Sequence, residues 1–103
     1  MIKMIKHIVI WRLFDFAEGN TKKENALKLK EMLLSLPSKI PQIKKMEVGI
    51  NIDRTDAASD VVLYSEFYSL EDLQAYQKHP EHQKVVEFLN KVRSEKRVVD
   101  YEV

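Results

Sequence analysis

The sequence predicts an α+β fold: a four-stranded antiparallel sheet with its helices packed on one face. Three observations lead there. Runs of β-branched and aromatic residues recur near the start, in the middle and at the end of the chain. Amphipathic helical patterns separate them, and each opens on a capping signal. The resulting order, β-α-β-β-α-α-β, is one helix more than the split βαβ pattern called ferredoxin-like.

The first strand is "IKHIVIWRLF", residues 5–14. It sets Ile5, His7, Val9, Trp11 and Leu13 on one face and Ile8, Ile10 and Phe14 on the other. "DFAEGN" then reads as a loop. Thr21 opens the first helix with Glu24 three residues on, the spacing of a capping box. Leu29, Met32, Leu33 and Leu36 recur at helical spacing, and Pro37 and Pro41 bracket the turn that stops the helix. In "IKKMEVGINI" the alternation of Met46, Val48, Ile50 and Ile52 gives a second strand, with Gly49 as a candidate bulge. "DRTDAASD" is the longest polar loop, and "VVLYSEFY" (61–68) is the third strand.

Ser69 with Asp72 resembles a second capping box, opening "LEDLQAYQKH". Pro80 suits the first position of a further helix, whose buried face is Val85, Phe88, Leu89 and Val92. "KRVVDYEV" closes the chain as a fourth strand. Strands that are apolar on both faces need cover on both. Helices supply one side, and a second copy of the same sheet is the simplest supplier of the other, so a homodimer through the sheet faces is expected.

A length of 103 residues suits one domain, 1–103. Charged residues make up 32% and the formal net charge is +1, which gives no electrostatic basis for nucleic acid or an anionic membrane as partner. The absence of cysteine excludes disulfides, thiolate metal sites and cysteine nucleophiles. Two glycines in the whole chain cannot build a phosphate-cradling loop. The apolar run in "MIKMIKHIVIWRLF" is short and broken by His7 and Arg12, unlike a secretory signal, so a cytoplasmic protein is expected.

Taken together, "MIKHIVIWRL", "LEDLQAYQKHPEH" and the terminal "VVDYEV" resemble the stress-responsive A/B barrel domain (Dabb, dimeric α/β barrel) family over nearly the whole chain. The resemblance implies homodimers whose two sheets enclose a barrel with the helices outside. It also implies no metal and no organic cofactor. A polyketide cyclase of this kind carries the pattern Tyr-x-x-His-Pro-x-His, which falls here on Tyr76, His79, Pro80 and His82. By that match Tyr76 and His82 are the catalytic pair and His7 helps line the pocket. The ligand-binding residues expected here are His7, Val9, Trp11, Leu29, Met32 and His79. Where the cyclase places aromatic residues along its first helix, this chain has Lys28, Leu29 and Met32, so a pocket of different shape is expected.

The pair is chemically adequate. Removing a proton next to a carbonyl needs a base that titrates near neutrality, which suits histidine, and a donor to the developing enolate oxygen, which suits a tyrosine hydroxyl. The same residues also have a structural reading. His79 precedes proline and suits a helix cap, Tyr76 suits a core position, and His82 could bond a neighbouring element. A metal held by His7, His79 and His82 is disfavoured, because no carboxylate accompanies them in sequence and Pro80 divides the pair. Glu66 is expected at a dimer rim or in solvent, or paired with Arg12 or a histidine if covered. The sequence thus leaves open whether the chain is an enzyme. The leading reading is a small barrel domain that binds an apolar or polyketide-like small molecule in a pocket ringed by His7, Tyr76 and His82, with cyclase-like acid–base chemistry there left open. The alternatives are a stress-protective barrel without ligand, and a cofactor-free monooxygenase of the same superfamily.

Overall fold

The computed structural model describes residues 3–103; the first two residues of the N-terminal stretch discussed above lie outside the described part. The long strands are β1 (Ile5–Leu13), β4 (Lys45–Ile50), β5 (Val61–Phe67) and β6 (Arg93–Glu102), in sheet order β4-β5-β1-β6 with every neighbour antiparallel. The helices are α1 (Lys22–Leu34), α2 (Leu70–Lys78) and α3 (Pro80–Val92). No helix among the described residues is long and apolar enough to cross a membrane.

Period-2 alternation divides the sheet cleanly. Ile5, His7, Val9, Trp11 and Leu13 of β1 and Val61, Leu63, Ser65 and Phe67 of β5 are buried under the helices. Leu29 and Leu33 of α1, Leu73 and Tyr76 of α2, and Val85, Leu89 and Val92 of α3 complete that core. The opposite face pairs Ile10 with Val62 and with Arg97, and Ile8 with Tyr64 and with Val99. It carries no helix, and Ile10, Val62, Val99 and Tyr101 on it are exposed.

The caps follow local chemistry. The Thr21 hydroxyl accepts from the Glu24 N–H at 3.2 Å while the Glu24 carboxylate accepts from the Thr21 N–H at 3.0 Å, closing the capping box. The Ser69 hydroxyl accepts from the Asp72 N–H, and Pro80 stands at the start of α3.

Several boundaries differ from expectation. "DFAEGN" is a small hairpin, β2 (Phe16–Ala17) with β3 (Asn20–Thr21), not a plain loop. Its turn places Glu18 at φ 52° and Gly19 at φ 76°, the left-handed region that a two-residue hairpin turn demands. The buried Asn25 side chain donates to the Ala17 carbonyl and ties the hairpin to α1. Gly49 is no bulge, since register runs unbroken through β4. A Cβ there would come within 3.1 Å of Val62 Cγ1, so the glycine answers to a close cross-strand approach. Ile52 is beyond β4 and fully exposed. Phe14 and Tyr68 fall just outside their strands. Strand β6 starts at Arg93, directly out of α3. Leu36 lies beyond the end of α1, although it is buried. Glu66 is on the bare face but is covered, accepting from the Tyr64 hydroxyl and from Lys44 Nζ at 3.0 Å. Neither Arg12 nor a histidine is its partner. Those two bonds, the Tyr64 hydroxyl first, hold its carboxyl below the usual range.

Candidate functional site

The histidine–proline segment creates the site because it breaks one helical run into two. His79 takes extended angles ahead of Pro80, as the ring of a following proline requires, and its Nδ1 accepts from the Glu81 N–H at 3.1 Å. α2 therefore stops and α3 starts in a new direction. That change brings Tyr76, in the last turn of α2, against His82, in the first turn of α3. Their ring centroids are 4.4 Å apart. Helix periodicity alone could not have predicted this, because the two residues belong to different helices.

His7 enters from the sheet. Its place on the covered face of β1 sets it 6.2 Å from the Tyr76 ring, centroid to centroid, with Phe67 beside both. Register puts Asp100 of β6 directly across from His7, and the carboxylate receives a hydrogen bond from His7 Nδ1. His82 Nδ1 lies 3.0 Å from the Gln77 carbonyl oxygen. A carbonyl can only accept, so this nitrogen carries the proton and Nε2 keeps its lone pair. In His7 the carboxylate likewise assigns the proton to Nδ1. Neither Nε2 has a protein partner among the described residues.

Burial sets the protonation of both side chains. It pulls the His82 imidazole below its usual value near 6.5, only partly opposed by the Gln77 bond, and the electrostatic interactions with His7, Lys96 and His79 add to the depression. His82 is thus neutral at neutral pH, with the Nε2 lone pair free. Burial pushes the Tyr76 phenol well above its ordinary range, so it remains a donor. The Tyr76 hydroxyl is buried without a hydrogen-bond partner among the described residues, and so is Trp11 Nε1. Leaving a buried donor unpaired costs about 1–3 kcal/mol, and two such groups in one small region are uncommon in a core.

These side chains surround a cavity of about 80 Å³. His7, Val9, Trp11 and Leu63 form its floor, Leu33, Tyr76, His82, Val85, Val86 and Leu89 its roof, and Lys96 and Val98 of the edge strand its rim. Five residues expected around the site on sequence grounds therefore converge: His7, Val9, Trp11, Tyr76 and His82. The other three do not line the cavity. Leu29 is fully buried in the core one turn before Leu33, Met32 is half-buried against that core, and His79 is committed to capping α3. Sequence reasoning missed Leu33, Lys96 and the Asp100 partner of His7. Asp100, Val98 and Lys96 do alternate onto one face of β6, but matching them to β1 required the register.

Two larger concavities lack this chemistry. One of about 360 Å³ lies at the end of the bare sheet face around Ile10, Gly49, Ile50 and Val62. The other, about 280 Å³, mixes Arg12, Lys22 and Arg54 with Asp53, Asp56 and Asp60, charges that offset one another. Neither is lined by a histidine or tyrosine. Among the described residues no cluster of three or more histidine or carboxylate groups is placed to hold a metal ion.

The profile of the stress responsive A/B barrel domain matches residues 5–103. The chain belongs to the Dabb family. Solved structures agree on the fold. A protein of Bacteroides fragilis, described as dimeric, ferredoxin-like and of unknown function, is 36% identical, with 97% of this chain and 96% of that one covered at a TM-score of 0.78. A dimeric ferredoxin-like protein of Thermobifida fusca, also of unknown function, is 19% identical over 100% of this chain and 93% of its own, with a TM-score of 0.84. The hydroxynitrile lyase of Passiflora edulis is 19% identical, covering 97% of this chain and 93% of its own, at a TM-score of 0.76. No curated protein sequence matches the chain. This Dabb protein thus has the α+β ferredoxin-like architecture expected of its sequence.

Proposed function

We propose that this Dabb protein is a homodimer that binds a small carbonyl compound between α3 and the sheet and performs acid–base chemistry on it without a cofactor. His82 Nε2 is the base, taking the proton from the carbon next to the carbonyl. The C–H electron pair passes into an enolate, whose oxygen receives the hydrogen bond of the Tyr76 hydroxyl. His82 then returns the proton to the carbon, or the enolate carbon attacks a second carbonyl, whose π pair moves to oxygen, and His82 gives its proton to the resulting alkoxide.

The observation that carries this reading is the unpaired, buried Tyr76 hydroxyl beside a histidine whose tautomer is fixed by the Gln77 carbonyl. A ligand oxygen would recover the hydrogen bond that the protein leaves unmade. Cavity size restricts the ligand. Drug-sized ligands occupy roughly 300–1,000 Å³, and about 80 Å³ suits a body of a few carbons. A polyketide-length chain would require α3 to move away from β6. The homodimer is supported by the exposed apolar residues on the bare sheet face and by a 36%-identical relative described as dimeric.

The test is titration with cyclopentanone, followed through the Trp11 indole and His82 ring signals by NMR. Saturable shifts in the wild type that are lost in His82→Ala support the reading. Signals that stay still up to solubility would favour the stress-protective barrel without ligand.

A further inference from the structure

The cavity rim carries a charge that nothing among the described residues answers. Lys96 faces the covered side of the sheet, because it pairs across the ladder with Trp11, and it lines the cavity at the open edge of β6. No carboxylate lines this cavity. Glu95 points to the opposite face, where Arg97 and Arg12 take it up. Asp100 is held by His7. Among the described residues Lys96 has no ion-pair partner within 4 Å, whereas the neighbouring charged residues of β6 do. Deeper in, the Tyr76 hydroxyl and Trp11 Nε1 are unpaired donors beside the free Nε2 acceptors of His7 and His82. The positive charge of Lys96 reaches far enough to disfavour protonation of His82.

We infer that Lys96 makes this cavity selective for a short-chain oxo carboxylate, bound with its carbonyl inward at Tyr76 and its carboxylate at the rim. The inference rests on the proposed carbonyl site and names the class of compound that site prefers. A carboxylate at the rim meets an unpaired cation without giving up all of its water, and an apolar stem of a few carbons occupies the space among Val9, Leu33 and Leu89. Such an ion pair is favourable because the carboxylate displaces no existing partner of Lys96.

Two probes differing in charge test this: 4-oxopentanoate, and the neutral 2,5-hexanedione, which has a second methyl ketone in place of the carboxylate. Dissociation constants are read from the Trp11 indole signal at low salt. The wild type is expected to favour 4-oxopentanoate by ~fivefold, the scale of one partly exposed ion pair. That preference should shrink with added salt. It should fall to near unity in Lys96→Met and be retained in Lys96→Arg. A wild type without preference, or a preference that survives in Lys96→Met, overturns the role of Lys96 while leaving the carbonyl site standing. If neither probe binds the wild type, the carbonyl site fails and this inference fails with it.

Discussion

The rings of Tyr76 and His82 lie 4.4 Å apart although a helix end, a proline and a helix start separate them in the chain. Tyr76 presents a buried hydroxyl without a partner, and His82 a neutral ring whose free nitrogen is Nε2. The pairing depends on the break at His79–Pro80, so one short segment both punctuates the helices and assembles the site.

Tyr76→Phe removes a hydroxyl that the protein leaves unsatisfied. Stability is expected to rise by about 1 kcal/mol while ligand affinity falls. Denaturant unfolding provides the check, at fixed protein concentration because the proposed homodimer would make stability concentration-dependent. A destabilisation of similar size would show that the hydroxyl has a partner.

His82 makes stability depend on pH. Its folded-state pKa lies below the unfolded value near 6.5, so below that pH the unfolded chain binds more protons. This contribution to stability is intact above the unfolded value. It declines as pH falls through 6.5 toward the folded-state pKa and then levels off. His82→Gln should show a shallower loss of stability between about pH 7 and pH 5 than the wild type. Parallel pH profiles would contradict the assignment.

His79 acts as a cap. His79→Ala should cost ~1 kcal/mol of stability by freeing the Glu81 N–H. Loss of ligand binding without loss of stability would instead give this side chain a direct role in the site.

Much of this architecture was legible because its signals are local. Alternation in β1 marked its buried face, and Thr21 with Glu24 marked the start of α1. The β2–β3 hairpin was missed because a two-residue ladder has no periodicity. Leu29 and Met32 were expected among the ligand-binding residues, but of α1 it is Leu33 that lines the cavity. Spacing gives the apolar stripe of a helix, but the roll of that stripe over the sheet is set by packing. The His7–Asp100 bond joins residues 93 apart in sequence and follows from the β1–β6 register, which no local pattern encodes.

The bare sheet face gives a further prediction. Val62→Glu sets a charge beside Ile10, where a second sheet would bury it, at a cost of several kcal/mol (~2–7 kcal/mol for an uncompensated polar group). Sedimentation should show a dimer for the wild type and a monomer for the variant. An unchanged dimer would move the interface elsewhere.

The central claim is that Tyr76 and His82 act together on a bound carbonyl compound. The most direct measurement is exchange of the α-protons of cyclopentanone in deuterated water, for wild type, Tyr76→Phe, His82→Ala and the double variant. Exchange well above solvent background in the wild type, with the double variant no slower than His82→Ala alone, is the predicted result, since residues acting as a unit are not additive. A wild type indistinguishable from His82→Ala would contradict the account.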